Sequence, residues 1–282
     1  MVNKSFSIYN EGEEIKAGPN QQVVVEIGKT HLASIIYDAD NKSLTAFELF
    51  EFKENDTDNF NLFFSTIVEK SKTLSDAFRP ARIFINHEFC LPVPTYKFNK
   101  DIAADYLNIV FGNTASAKIK YDHVAVNPDI INVFKVSEDC ITILNDYFSK
   151  ITFQHTYSSV IRNLMNKTID NQNKFIGVDF YNSYMIVAVM LDGKLQLIQS
   201  IEYHTSEDVI YYLLNIAERY LLTADQLSIL ISGMIDLEFN LYRQLIKYFK
   251  NVQVMNESPV KTGFTLTNHP SHYFMPFFKL AI

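Results

Sequence analysis

The sequence predicts an α/β protein with mixed sheets, built from two copies of one folding unit. Three observations lead to this prediction. Short apolar strands alternate with amphipathic helices, a meander of three strands precedes the first helix of each half, and the same order of elements occurs twice along the 282 residues. Such a length accommodates two domains, since most domains contain ~100–200 residues.

The first half begins with a meander and continues with a helix and a fourth strand. Strands are predicted at 23–28, 32–38 and 44–52, with turn residues at 40–42. Asp58 is the expected N-cap of the following helix. The helix has an apolar face with i, i+3, i+4, i+7 spacing, made of Phe60, Phe63, Phe64, Ile67 and Val68. The almost unbroken apolar run at 81–86 predicts a strand that is buried on both faces.

The same order returns in the second half. Strands are predicted at 175–179, 184–190, 195–203 and 227–232, with a hairpin turn at 191–194. A capping box at 205–208 begins the helix, whose expected apolar stripe is Val209, Tyr212, Leu213, Ile216 and Tyr220. In this repeat Glu26 aligns with Asp179, and Asn86 aligns with Ser232. Each half then continues with a helix and a short strand, at 137–150 and 151–153 in the first and around 241–249 and 252–254 in the second.

The repeat predicts two domains, 1–156 and 157–282. The first contains an insertion at about 92–136, where Pro92 and Pro94 are expected to break the chain before a helix at 102–111 and two strands. A connecting helix at 157–169 and a polar linker at 170–173 lead into the second. Because the repeat does not require the insertion, the insertion is the expected region of contact with a partner protein.

Composition and charge exclude several classes of protein. The 25 Lys and Arg residues against 32 Asp and Glu residues give a net charge of −7, which argues against nucleic-acid binding. No apolar run approaches the ~20 residues of a membrane helix, and the N-terminus lacks the apolar core of a signal peptide. Cys90 and Cys140 lie in apolar segments and are expected to be buried free thiols of a reducing compartment. We therefore expect a cytoplasmic protein without nucleic-acid or membrane partners.

Carboxylates also occur where nucleases place them to hold two metal ions about 4 Å apart: on the first strand, on the first helix and after the fourth strand of each half. They are Glu26, Glu69 and Glu88 in the first half and Asp179, Glu218 and Asp236 in the second. Helical geometry argues against a shared site, because Glu69 and Glu218 lie about 200° around their helices from buried positions and should face water.

Other patterns of catalytic or metal-binding residues are incomplete. The histidines of 269–272 have no nearby Cys or acidic residue, so no metal site is predicted there. Lys29 and Thr30 lack the glycines of a P-loop. No Gly-x-Ser-x-Gly motif occurs. The sequence therefore predicts no catalytic residue. The aromatic stretch at 273–278 is expected to be buried against the second domain.

The order meander, helix, strand, helix and strand occurs twice in the chain. This repeated unit resembles the ribonuclease H-like domain that is doubled in the actin-like ATPase superfamily. That superfamily includes sugar kinases, heat-shock chaperones and bacterial cell-division and pilus-assembly proteins. More narrowly, the chain resembles a bacterial family of unknown function with this fold, over most of its length including the ending at 270–274. The resemblance implies a fold and brings no activity with it.

The resemblance also implies a nucleotide site in the cleft between the two halves. There an Asp-x-Gly turn in each half holds hydrated Mg²⁺ through its carboxylate, and the glycine lets backbone N–H groups approach phosphates. The implied nucleotide-binding residues are Glu26, Gly28, Lys29 and Thr30 in the first half and Asp179, Asn182, Ser183 and Gly233 in the second.

Three departures from the pattern argue against efficient ATP hydrolysis. Glu26 stands in the place of Asp, and Tyr181 stands where the second turn should have glycine. A phenol at that position is expected to obstruct a phosphate. The Gly-Gly pair that would contact adenosine is reduced to Gly233, which follows Ser232.

Two hypotheses follow. The first is a bacterial actin-like protein without catalytic residues that binds another protein or acts as a scaffold, with nucleotide binding left open. The alternative is a divergent ATPase or kinase with ATP and Mg²⁺ as cofactors. It would use Glu26 and Asp179 for Mg²⁺ and Gly28, Lys29 and Gly233 for nucleotide.

Overall fold

A computed structural model describes residues 2–10, 20–75, 79–112, 117–165, 167, 174–223, 227–258, 260–266 and 269–282. The chain divides into two compact units, the first of residues 1–159, 259–267 and 280–282 and the second of 160–258 and 268–279. The domain bounds expected from the repeat stay a prediction; they differ from these units mainly in the two C-terminal segments assigned to the first. The polar linker at 170–173 lies outside the described residues.

Among the described residues, strands and helices alternate much as expected. The strands are β1 (Asn3–Tyr9), β2 (Gln21–Gly28), β3 (His31–Asp38), β4 (Ser43–Glu51), β5 (Pro80–Asn86), β6 (Cys90–Pro94), β7 (Ala117–Val124), β8 (Ile130–Ser137), β9 (Lys150–His155), β10 (Lys174–Phe180), β11 (Tyr184–Leu191), β12 (Lys194–Glu202), β13 (Ser228–Gly233), β14 (Asn251–Val254) and β15 (Lys261–Thr262). The helices are α1 (Phe60–Lys70), α2 (Ala103–Phe111), α3 (Glu138–Tyr147), α4 (Thr156–Met165), α5 (Ser206–Arg219), α6 (Asn240–Tyr248) and α7 (Met275–Phe278).

The main sheet of the first unit has the strand order β1-β4-β3-β2-β5-β9, and β15 pairs with the start of β4. Strand β2 runs antiparallel to β3 and parallel to β5, which is parallel to β9. The carboxyl ends of β2, β5 and β9 therefore lie at one edge of the sheet. This edge carries the first group of predicted site residues.

Helix α1 follows the meander but begins one residue later than predicted. Its N-cap is Asn59, whose side chain accepts a hydrogen bond from the backbone N–H of Leu62, and the Asp58 N-cap is wrong because Asp58 closes the preceding 3-10 turn. The aromatic face is confirmed as buried, apart from half-buried Val68.

The insertion forms a three-stranded sheet, β6-β8-β7, with α2 packed against it. The sequence predicted that Pro92 and Pro94 break the chain. This is wrong, because both residues lie within β6. Within the described part of the chain, β6 is an edge strand paired with β8 alone, so the missing N–H groups of its prolines cost no ladder hydrogen bond on its other side.

The second unit has a sheet of order β12-β11-β10-β13-β14, in which the strands follow one another as in β4-β3-β2-β5-β9 of the first. Thr205 and Asp208 form the predicted capping box of α5. Tyr212, a member of the predicted apolar stripe of α5, is not buried but 37% exposed. It lies at the edge of that stripe, where the packed face of the helix ends.

The aromatic C-terminal segment packs on β13 of the second unit, as predicted. Phe274, Met275, Phe277 and Phe278 are all fully buried. Burial of this segment carries its one charged neighbour, Lys279, into the interior as well.

Glu48 of β4 is a fully buried carboxylate that ties the N-terminal strand to the main sheet. Its donors are the Lys4 ammonium, the hydroxyls of Tyr9, Ser71 and Thr73, and the backbone N–H groups of Lys72 and Thr73. Burial acts to raise the pKa of Glu48, but these donors outweigh it and lower the pKa from 4.5 to about 2.

We expect this carboxylate to make the fold acid-sensitive. A carboxyl group with a lowered pKa stabilises the fold above its unfolded pKa, and that stability is lost as the pH falls from 4.5 towards about 2. For a single group, the free energy of unfolding changes with pH by at most about 1.4 kcal/mol per pH unit. Urea unfolding of Glu48→Gln at several pH values should lack this slope, whereas Glu69→Gln, an exposed carboxylate on α1, should keep the wild-type profile. An unchanged acid profile in Glu48→Gln would contradict the assignment.

Candidate functional site

Glu26, near the end of β2, is completely buried among side chains of its own unit. Its Oε2 atom lies 2.9 Å from His31 Nε2. Its Oε1 atom accepts hydrogen bonds from Asn86 Nδ2 at 3.0 Å and from Thr156 Oγ1 at 2.7 Å. Parallel pairing brings the ends of β2 and β5 together, and α4 begins where β9 ends at the same edge. Protein donors therefore surround the carboxylate on both oxygens.

Gly28 is explained by contacts within the chain. A Cβ atom at this position would lie 2.3 Å from Cε1 of the His31 ring. The ring therefore occupies the space that a side chain at residue 28 would need. Lys29 forms an ion pair with Glu88, with 3.0 Å between Nζ and Oε1. The carbonyl of Thr30 accepts a hydrogen bond from the backbone N–H of Phe52. The turn is thus held by its own unit.

A cavity of about 360 Å³ lies at this edge of the first unit. The ends of β2 and β5, the start of α1 and the N-terminus of α3 line it. Of the predicted site residues, Gly28 and Lys29 line the cavity, whereas Glu26 and Thr30 are not among the lining residues. Its apolar walls include Ile27, Phe60, Ile85, Phe89 and Val136. The volume falls within the ~300–1,000 Å³ typical of small-molecule sites.

His87 lines the cavity but has both ring nitrogens engaged by the backbone. Its Nδ1 atom accepts from the N–H of Phe89 at 3.1 Å, so Nε2 carries the proton and donates to the carbonyl of Lys135 at 2.8 Å. His155 has the same pattern, accepting from the N–H of Tyr157 and donating to the carbonyl of His87. Burial lowers the pKa of both imidazoles. Each ring is therefore neutral, and its two nitrogens hold the backbone groups to which they are hydrogen-bonded.

Asp179, at the equivalent place in the second unit, is also paired on both oxygens. Its Oδ1 atom accepts a hydrogen bond from the hydroxyl of Ser232, and Oδ2 is ion-paired with the ammonium of Lys279. Asp179 is 6% exposed and Lys279 is 2% exposed. Mg²⁺ requires an octahedral oxygen shell of about six ligands. A carboxylate neutralised by a buried ammonium does not fit the role of a hydrated-magnesium ligand.

The repeat predicted this correspondence in part. It aligned Glu26 with Asp179 and Asn86 with Ser232, and each carboxylate accepts a hydrogen bond from the polar side chain on the neighbouring parallel strand. The other partners of the two carboxylates, His31 and Lys279, occupy unrelated positions in the chain.

The turn after Asp179 contains Tyr181, whose ring lies in the interior of the second unit. The ring is stacked on Tyr184 with 4.7 Å between centroids and meets Phe277 edge-on at 5.8 Å. The N–H of Tyr181 donates to the carbonyl of Tyr184. Asn182 and Ser183 are exposed at the tip of the turn. The phenol therefore belongs to the core, where the sequence had suggested an obstruction to phosphate.

Gly233 ends β13 in a conformation that side chains disfavour. Its φ is +91°, and a Cβ atom would lie 2.1 Å from the carbonyl oxygen of Phe180. The next N–H, that of Met234, donates to the same oxygen at 2.8 Å. Close approach of β10 and β13 thus requires the glycine.

The nuclease pattern is not assembled. Glu69 and Glu218 face solvent, as helical geometry predicted. Within the described ranges, no group of three or more His, Cys, Asp or Glu residues is arranged to hold a metal ion. Cys90 and Cys140 are buried free thiols, as expected, and burial raises the pKa of Cys140 to about 12. In the part of the chain that the structure describes, no helix is both long and apolar enough to cross a membrane.

Sequence reasoning missed three residues of these clusters. The burial of Lys279 could have been anticipated, because it is the lone charge in the apolar segment from Phe274 to Ala281. No sequence pattern indicates His31 or Thr156, since their contacts with Glu26 depend on sheet register and on the position of α4.

Comparisons with known proteins agree with this architecture. The model of a family described as "Protein of unknown function (DUF3822)" matches residues 12–252. A Bacteroides thetaiotaomicron protein with an actin-like ATPase fold and unknown function has a TM-score of 0.74 and 17% identity, covering 84% of this chain and 91% of that one. A search of curated proteins finds no match.

Two further solved structures show the same fold at lower similarity. The ethanolamine utilization protein EutJ from Carboxydothermus hydrogenoformans has a TM-score of 0.51 and 10% identity, covering 94% of this chain and 90% of that one. A PilM-PilN type IV pilus biogenesis complex contains a chain with a TM-score of 0.57 and 9% identity, with coverages of 92% and 96%. The protein therefore has the actin-like ATPase fold.

Proposed function

The chain belongs to the DUF3822 family of proteins of unknown function, and we propose that it is a non-catalytic protein-binding module with an actin-like fold. The buried ion pair of Asp179 and Lys279 supports this proposal most directly. In ATPases of this fold the equivalent carboxylate would hold hydrated Mg²⁺, and here an ammonium of the chain itself neutralises it.

The requirements of phosphoryl transfer lead to the same proposal. Catalysis of that reaction depends almost entirely on positioning the phosphates and stabilising their charge. Glu26 is enclosed by three protein donors, and Gly28 and Gly233 are accounted for by packing within their own units. The residues present therefore do not fit ATP with Mg²⁺, and we assign no catalytic residue.

The inserted subdomain is the proposed surface for a protein partner. On α2, Ile109 is 84% exposed and Val110 is 55% exposed, while Tyr96 before the helix is 78% exposed. Exposed apolar side chains that lie close together on a surface are typical of interaction sites. In the structural neighbour of the pilus system, a protein of this fold occurs in a complex with PilN.

A thermal-shift experiment with Mg-ATP tests the proposal. We expect millimolar Mg-ATP to leave the melting temperature of the wild type unchanged, because ligand stabilisation requires binding to the folded state. Asp179→Ala should then show the same absence of a shift, measured against its own melting temperature. Glu218→Ala, an exposed carboxylate of the same unit, is the matched control.

The ATPase alternative makes the opposite prediction. An increase in melting temperature with Mg-ATP that Asp179→Ala abolishes and Glu218→Ala retains would contradict the non-catalytic proposal. Steady ATP hydrolysis that is lost in Asp179→Ala alone would establish the enzyme.

A further inference from the structure

We infer that the cavity of the first unit binds a guanidinium or alkylammonium group on a short apolar stem. This inference deepens the proposed function by naming the chemistry that a partner or small ligand would present. It depends on residues of the first unit, whereas the Mg-ATP experiment reports on Asp179 of the second.

Asn86 presents a buried acceptor at the cavity wall. The residue is 0% exposed, and its Nδ2 group donates to Glu26. Because a carboxylate only accepts, this contact sets the orientation of the amide and leaves Oδ1 directed elsewhere. Among the described residues, Asn86 Oδ1 has no hydrogen-bond partner, and Asn86 is one of the residues that line the cavity. A buried carbonyl oxygen in this position favours a ligand that donates hydrogen bonds.

Glu88 supplies a second acceptor and the negative charge. Its Oε1 atom is paired with Lys29, whereas Oε2 is buried and without a partner among the described residues. Glu54 also lines the cavity, so its lining residues include two carboxylates and one ammonium, and His87 adds no charge. Charged donors form the stronger bonds to a carboxylate, and a planar guanidinium offers several N–H groups at once.

The remaining walls are apolar and select the stem of the ligand. Ile27, Phe60 and Phe89 would contact methylene groups, which have no polar atoms to satisfy. The carboxylates Glu54 and Glu88 disfavour an anion. The cavity therefore matches butylguanidinium or the side chain of an arginine or lysine better than a phosphate or a purely apolar ligand.

Titration of the uniformly ¹⁵N-labelled full chain with butylguanidinium tests the inference. We expect saturable shifts of the Asn86 side-chain amide and of the Gly28 and Phe89 backbone signals. Neutral butylurea, which has the same stem, should bind at least about tenfold more weakly because it lacks the charge-assisted bond. Glu88→Gln should weaken butylguanidinium binding by at least about tenfold, and the exposed-carboxylate control Glu69→Gln should not.

The outcomes separate the sources of the cation and can overturn the inference. Binding of acetyl-Ala-Arg-Ala-amide as tightly as butylguanidinium supports a protein side chain, and binding of butylguanidinium alone supports a free small cation. Equal binding of butylurea, or no saturable shift with any probe, would overturn the inference. The comparison of butylguanidinium with butylurea uses the wild type, so it stands even if Glu88→Gln does not fold.

Discussion

Replacing Lys279 with methionine is expected to lower the free energy of unfolding by about 3–5 kcal/mol. The substitution keeps an unbranched apolar stem in the interior but removes the ammonium that is paired with Asp179. The carboxylate, 6% exposed, would then remain buried, with a hydrogen bond from the hydroxyl of Ser232 but no ammonium beside it. An uncompensated buried charge is much more costly than the loss of an exposed ion pair.

The double variant Asp179→Asn with Lys279→Met is the matched control. It removes both charges and preserves the shapes of the side chains, so we expect it to recover at least half of the stability lost in Lys279→Met. The chain contains no Trp and 16 Tyr residues, so urea unfolding is best followed by far-ultraviolet circular dichroism. A single variant within about 1 kcal/mol of the wild type, or a double variant no better than the single, would rule out a tightly coupled buried pair.

The same variants test whether Lys279 is what keeps Mg²⁺ from Asp179. If Lys279 alone prevents metal binding at Asp179, Mg-ATP should raise the melting temperature of Lys279→Met. Our proposal predicts no such increase, because it assigns no nucleotide site to either unit.

The sequence was most informative where local patterns decide the structure. The meanders, the aromatic face of α1 and the capping box of α5 follow from hydrophobic periodicity and turn residues, which act over a few positions. Strands β1 and β6 were missed because edge strands need only one hydrogen-bonded neighbour and tolerate polar residues and proline.

The clusters around the carboxylates could be predicted only in part. Glu26 and Asp179 were found by their place in the repeat, but their partners are far away in the chain: Thr156 is separated from Glu26 by 130 positions and Lys279 from Asp179 by 100. No local pattern encodes such contacts. The ligand roles that the resemblance to ATPases implies for these groups stay a prediction, and the structure shows the same groups in contact with other parts of the chain.

The glycines of the predicted site illustrate this ambiguity. Glycine is expected both where a ligand approaches the backbone and where two segments of backbone approach each other. Gly233 belongs to the second case, because the carbonyl of Phe180 lies where its Cβ would be. The two explanations differ in what they predict for stability in the absence of any ligand.

Gly233→Ala is expected to lower the free energy of unfolding by about 4 kcal/mol, combining the strain of a positive φ with displacement of a neighbouring strand. Gly193→Ala is the matched control, since Gly193 has a φ of +72° but no atom within 4 Å of the added Cβ. That variant should lose only about 1 kcal/mol. If the two variants were equally stable in ligand-free urea unfolding, close packing of β10 and β13 would not explain Gly233, and an adenosine-contacting role would regain support.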